Sequence, residues 1–124
     1  MINELAKAAH ANQVNKGFVE PGTIRNFGEC IALVHSELSE ALEGMREGQI
    51  EPNAGEKIMI TKDLAVGNAE SYQKFKKTPG FELADAVIRI LGMVEEHGIE
   101  DFEWYIRTKM AYNTTREYKH GKQL

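Results

Sequence analysis

The chain of 124 residues has a single cysteine, Cys30, so an intramolecular disulfide is excluded. Cys30 falls inside a helical pattern and reads as a small core residue, in keeping with a reducing compartment. Apolar runs are only a few residues long, which argues against a membrane span. The N-terminal stretch MINELAKAAH has neither the basic start nor the apolar segment of a signal peptide, and a cytoplasmic location is expected. There is no internal repeat and no low-complexity segment. Charge of either sign is not in large excess: the net charge of −4 disfavours wholesale binding to nucleic acid. What remains, 27% charged and 42% hydrophobic residues, suits one globular domain with a modest core, covering residues 1–124.

The apolar periodicity is helical. Residues from Ile2 to Lys16 form a first helix with Leu5, Ala8, Ala9 and Val14 on its apolar side. Gly17 stops it, and Pro21-Gly22 marks a turn. Thr23 is placed to cap a second helix from Ile24 to Arg46, whose expected core stripe is Phe27, Ile31, Val34, Leu38, Leu42 and Met45. Residues 49–79 are the least regular, broken by Pro52, Gly55 and Gly67, and are expected to be an insertion or partly ordered flap. Within them, Ile58-Met59-Ile60 suits a strand or a turn, and Asn68 to Lys77 a short helix. Thr78-Pro79 starts a helix running to about His97, with Leu83, Val87, Ile90, Leu91 and Val94 inward. Gly98 closes it, and a last helix begins near Ile99 with Phe102, Ile106, Met110 and Asn113 on its inner side. The fold class is all-α, with about four main helices.

Two acidic pairs stand out: Glu37-x-x-Glu40 in HSELSEALEG and Glu82-x-x-Asp85 in FELADAVIRI. Three-residue spacing sets both members of a pair on neighbouring parts of one helix face. Taking Leu38 as the core direction, Glu37 lies roughly 100° and Glu40 roughly 160° to one side, while Glu43 points to the far, solvated side. Glu82 and Asp85 share a polar strip with Arg89 on a helix that is otherwise apolar most of the way round. Four carboxylates aimed at one spot need a cation between them, and all-oxygen ligands suit a hard divalent ion, above all Mg2+ where phosphates complete the shell. The plainer alternatives are solvated surface glutamates, an i,i+4 ion pair of Asp85 with Arg89, and a Glu82 that favours the helix N-terminus.

The second constellation is basic. Lys109, Arg116, Lys119, His120 and Lys122 crowd the end of an acidic chain, with Tyr112, Asn113 and Tyr118 interleaved. Lysine and arginine hold phosphate oxygens, and carboxylates near cations are the layout of phosphoryl chemistry. A frayed, charged tail is the alternative.

ELSEALEG, ELADAVIRILG and KMAYNTTREYKHGK, in that order, resemble the MazG-like nucleoside triphosphate pyrophosphohydrolases of the all-α NTP pyrophosphatase group. The resemblance covers about residues 27–47 and 80–122. It implies a MazG-like helical bundle completed by oligomerisation as a homodimer or homotetramer. It implies Glu37, Glu40, Glu82 and Asp85 as catalytic Mg2+ ligands, with Mn2+ as a possible substitute. It assigns Lys109, Asn113, Arg116, Tyr118, Lys119 and His120 to the substrate phosphates. The implied reaction hydrolyses an NTP or dNTP to the monophosphate and pyrophosphate, as nucleotide-pool housecleaning. Two departures are Ser36, where many members carry a further glutamate, and the long segment between the acidic pairs, which holds Tyr72, Phe75 and several lysines.

For the base, Phe18, Phe27, Trp104 and Tyr112 offer stacking surfaces, though each also suits a core. A competing reading is a non-catalytic helical interaction module that keeps the fold. A di-iron or di-manganese bundle requires two Glu-x-x-His motifs, and the chain has that spacing only at Glu117 and His120.

Overall fold

A computed structural model describes residues 1–20 and 22–116. Among these, all regular structure is helical: α1 (Ile2–Asn15), α2 (Phe27–Arg46), α3 (Ala54–Ala65), α4 (Glu70–Gln73), α5 (Pro79–Glu96) and α6 (Phe102–Thr115). No helix among the described residues is long and apolar enough to cross a membrane.

Local chemistry accounts for most of the boundaries. Thr78 caps α5, with Pro79 in the first turn where its missing N–H costs nothing. Gly48 and Gly98, both at φ +72°, take the left-handed turns that follow α2 and α5. The cap of α2 is Asn26, not Thr23: its side chain accepts a hydrogen bond from the Glu29 amide at 3.1 Å, so the helix starts at Phe27. Ile58-Met59-Ile60 is neither strand nor turn. It sits inside α3, whose start is fixed by a reciprocal cap in which Asn53 and Glu56 bond each other's backbone amides at 2.8 and 2.9 Å. Residues 49–79 therefore carry two helices, α3 and α4. The last helix starts three residues later than Ile99, after Asp101 turns the chain at φ 53°.

α2 and α5 form the centre and run antiparallel: Arg25 meets Glu96 at one end, Glu37 meets Arg89 in the middle, and Gly44 meets Lys77 and Pro79 at the other. The α2 seam against α5 is Cys30, Val34, Glu37, Ala41 and Gly44. It lies roughly 100° round the helix from the expected stripe. Of that stripe only Val34 is buried, while Leu38, Leu42 and Met45 are 46%, 50% and 65% exposed. Small residues explain the choice. A β-carbon on Gly44 would overlap the Lys77 carbonyl, so only glycine allows the backbones so close. On α5, Leu91 and Val94 are buried as expected, but Leu83 and Val87 are half exposed. The two exposed stripes are displaced in the same rotational sense from facing seams, so in an antiparallel pair they emerge on one side as a single apolar face.

α1 covers the C-terminal half of α5, where Ala6, Leu91 and Val94 form a small core bordered by Ile2, Ala9, Ile99 and Phe102. α6 packs on α1. Asn3 joins them, giving a hydrogen bond to Asp101 at 2.8 Å and accepting one from the Glu103 amide at 3.0 Å. Met110, expected on the inner side of α6, is 63% exposed.

Candidate metal and phosphate site

The α2–α5 register brings three of the four acidic-pair residues together, while Glu40 is exposed and outside this group. Glu37 from α2 meets Glu82 and Asp85 from α5, each offering a carboxylate oxygen within 4.8 Å of the others. Glu37 and Glu82 are each only 8% exposed. Glu40, one turn along α2, lies close enough to Glu82 to help raise its carboxyl, and it lines the adjoining cleft. Arg89 donates to Glu37 Oε1 across the helices at 2.7 Å. The i,i+4 pairing of Arg89 with Asp85 is not what forms, and Glu82, though in the first turn of α5, is buried rather than solvated.

The electrostatics are those of like charges held in a poorly hydrated place. Burial, the closeness of Glu40, and the charges of Glu40, Asp85 and Glu37 together push Glu82 up to about 7. Burial also raises Asp85, helped by Glu40 and opposed by Arg89. Tyr72 is raised by burial first, then by Asp85 and Glu82. A divalent cation among these oxygens would remove the repulsion. The donor set is all carboxylate, which fits a hard ion and offers nothing to a soft one.

Beside the carboxylates lies a cleft of about 410 Å³. Glu40, Glu43, Glu47, Glu82 and Asp85 line one side, and Gly44 lies in its wall. Glu43 thus faces the cleft rather than the far side, because the chain after α4 is laid against α2 and extends the wall past Gly44. The other side is Tyr72, Lys76 and Lys77, none of which stood out as a binding residue in the sequence. One signal was available: the two lysines directly precede the Thr78-Pro79 start of the helix that carries Glu82.

The residues assigned to phosphate by resemblance lie elsewhere in the chain. Lys109 and Asn113 on α6 and Arg116 just past its end are exposed, and none of them lines the cleft. Lys109 and Arg116 both approach the Tyr112 ring, at 5.3 and 5.9 Å from its centroid. Tyr118, Lys119 and His120 lie outside the described residues. Nor do the four aromatic candidates reach the cleft: Phe27 stacks edge-on with His97, Trp104 with Tyr105, Tyr112 meets the α6 cations, and Phe18 is 76% exposed.

Comparison with known protein families, curated proteins and solved structures finds no match for this chain.

Proposed function

We propose that the chain is a Mg2+-dependent nucleoside triphosphate pyrophosphohydrolase of the MazG-like kind, acting in the cytoplasm on an NTP or dNTP. The observation that carries this reading is the convergence of buried Glu37 and Glu82 and half-buried Asp85 within 4.8 Å, beside a cleft that also presents lysines. Structural clusters of like charge are costly to keep, and repulsion at such a site points to a bound cation.

Glu37, Glu40, Glu82 and Asp85 would hold the ion, with Mn2+ able to substitute. When bound, the ion offsets the charge of the phosphate oxygens and supplies an activated water. The chain's own residues do the rest. Arg89 fixes the Glu37 carboxylate in place through its 2.7 Å bond. Burial and the neighbouring carboxylates, Glu40 among them, favour the protonated form of Glu82 when the ion is away. The carboxylates then accept the proton of the attacking water, while cations stabilise charge on the departing pyrophosphate.

The apolar face of α2 and α5 suits a second copy of the chain, giving a homodimer or a homotetramer of such pairs. The face holds Ile31, Leu38, Leu42, Leu83 and Val87, all at least 36% exposed. Assembly is also the route by which Lys109, Asn113 and Arg116 would reach a cleft, that of a neighbour. Leu42→Glu places a charge in the middle of this face and is expected to leave the protein monomeric by light scattering.

The test of the activity is pyrophosphate release over a panel of NTPs and dNTPs. Glu40→Gln and Asp85→Asn are each expected to lower Mg2+-dependent release by about a hundredfold or more with helix content unchanged. Full activity in both variants removes the proposed site.

A further inference from the structure

The cleft contains its own cations. Lys76 and Lys77, between α4 and α5, line it together with Glu40, Glu82 and Asp85. Among the described residues neither lysine makes an ion pair or a side-chain hydrogen bond. Both residues are exposed, so their side chains are open to something that enters the cleft.

Their backbone, in contrast, is held firmly. The Lys77 carbonyl rests against Gly44 of α2. Thr78, next in the chain, has 0% exposure, and its amide donates to the Phe75 carbonyl at 3.0 Å. The Phe75 amide donates in turn to the Tyr72 carbonyl at 2.9 Å. The Tyr72 ring packs edge-on to Phe81 of α5, with centroids 5.1 Å apart. Ser71 donates to Asp63 of α3 at 2.8 Å. Two flexible cationic side chains on a fixed backbone, facing a cluster of carboxylates, form a clamp for an anion that brings a cation with it. A lysine ammonium is a compact point charge with three donors and needs no planar partner, so it tolerates the varied oxygens of a polyphosphate.

We propose that Lys76 and Lys77 form a same-chain clamp for the polyphosphate of a divalent cation–polyphosphate complex whose cation sits on Glu37, Glu82 and Asp85. The proposal rests on the reading of the acidic cluster as a metal site, and it names the phosphate-binding residues that the resemblance does not. The recognised group is the phosphate chain itself, so inorganic pyrophosphate with Mg2+ is sufficient as a ligand. The α6 cations then act from a neighbouring subunit or not at all at this position.

The test is calorimetric titration of the whole chain with Mg2+–pyrophosphate, where no hydrolysis is required. Lys76→Gln and Lys77→Gln are each expected to weaken binding by about tenfold or more. Each should leave Mn2+ binding without phosphate unchanged, and the double variant should flatten the salt dependence. Gly44→Ala, which shifts the Lys77 carbonyl, is expected to weaken pyrophosphate binding with both lysines present. Affinity of the double variant within threefold of the parent, on the order of 0.6 kcal/mol, overturns the clamp, as does a parent chain that binds no Mg2+–pyrophosphate. The two readings fail separately. Lysine-dependent binding without turnover of any nucleotide leaves the clamp standing and removes the hydrolase. Turnover with lysine-independent binding does the reverse.

Discussion

Helix α5 buries a glutamate near each end, and the two are opposites. Glu82 and Glu96 are equally inaccessible at 8% exposure. Glu96 is met by Arg25, whose Nε lies 2.8 and 3.0 Å from its two oxygens and whose amide donates at 3.2 Å. Gln13 completes the set by accepting from the same guanidinium at 2.9 Å. Glu82 has Glu40, Asp85 and Glu37 as its neighbours, and it holds its proton up to about 7. One end is a finished ion pair. At the other, Arg89 bonds Glu37, and among the described residues no cation is paired with Glu82 itself. The same residue type at the same burial is thus structural at one end and a candidate for function at the other, decided by its partners.

The comparison predicts stability changes of opposite sign. Arg25→Ala leaves Glu96 buried without a counter-charge and is expected to cost roughly 3 kcal/mol in chemical denaturation. Glu82→Gln removes a repelled charge and is expected to raise stability at pH 8, without added metal, by roughly 1 kcal/mol. If both variants lose stability, the two ends are alike and the distinction fails.

A pH series sharpens it further. The folded chain keeps the Glu82 proton to about 7, whereas an unperturbed glutamate releases it near 4.5. Between those values the folded state binds more protons than the unfolded one, so stability falls as pH rises through the window and levels above it. Raised Asp85 adds in the same direction. The stability advantage of Glu82→Gln over the parent should therefore be small near pH 4.5, grow towards pH 7 and then stay constant. Saturating Mg2+ at pH 8 should reverse its sign, since the ion stabilises only a chain that still has the carboxylate. An advantage independent of pH would mean that Glu82 is not repelled by its neighbours.

Much of this was legible in the chain. Thr78-Pro79, Gly48 and Gly98 announce where α5 begins and where α2 and α5 stop, because caps and left-handed turns depend on local chemistry. The acidic pairs were visible through their spacing on helices. The side of α2 that packs inward was not. Periodicity favours the largest apolar residues, so it selects Leu38 and Leu42, while the packed seam uses Cys30, Ala41 and Gly44 and buries Glu37. Small residues carry little hydrophobic signal, yet they set how near two backbones approach. The Asn53–Glu56 cap of α3 was present in the sequence but was overshadowed by the breakers around it. Lys76 and Lys77 join the site through the contact of their chain with Gly44, a tertiary fact that no spacing rule contains.

Whether Glu37, Glu40, Glu82 and Asp85 hold a divalent cation is decided by Mn2+ binding followed by electron paramagnetic resonance at pH 8. The parent chain is expected to bind Mn2+ that Mg2+ displaces, and Asp85→Asn to lose it, while a Glu100→Gln control, changed at an exposed position outside the cluster, keeps it. No bound Mn2+ in the parent, or equal binding in Asp85→Asn, would contradict a cation site there.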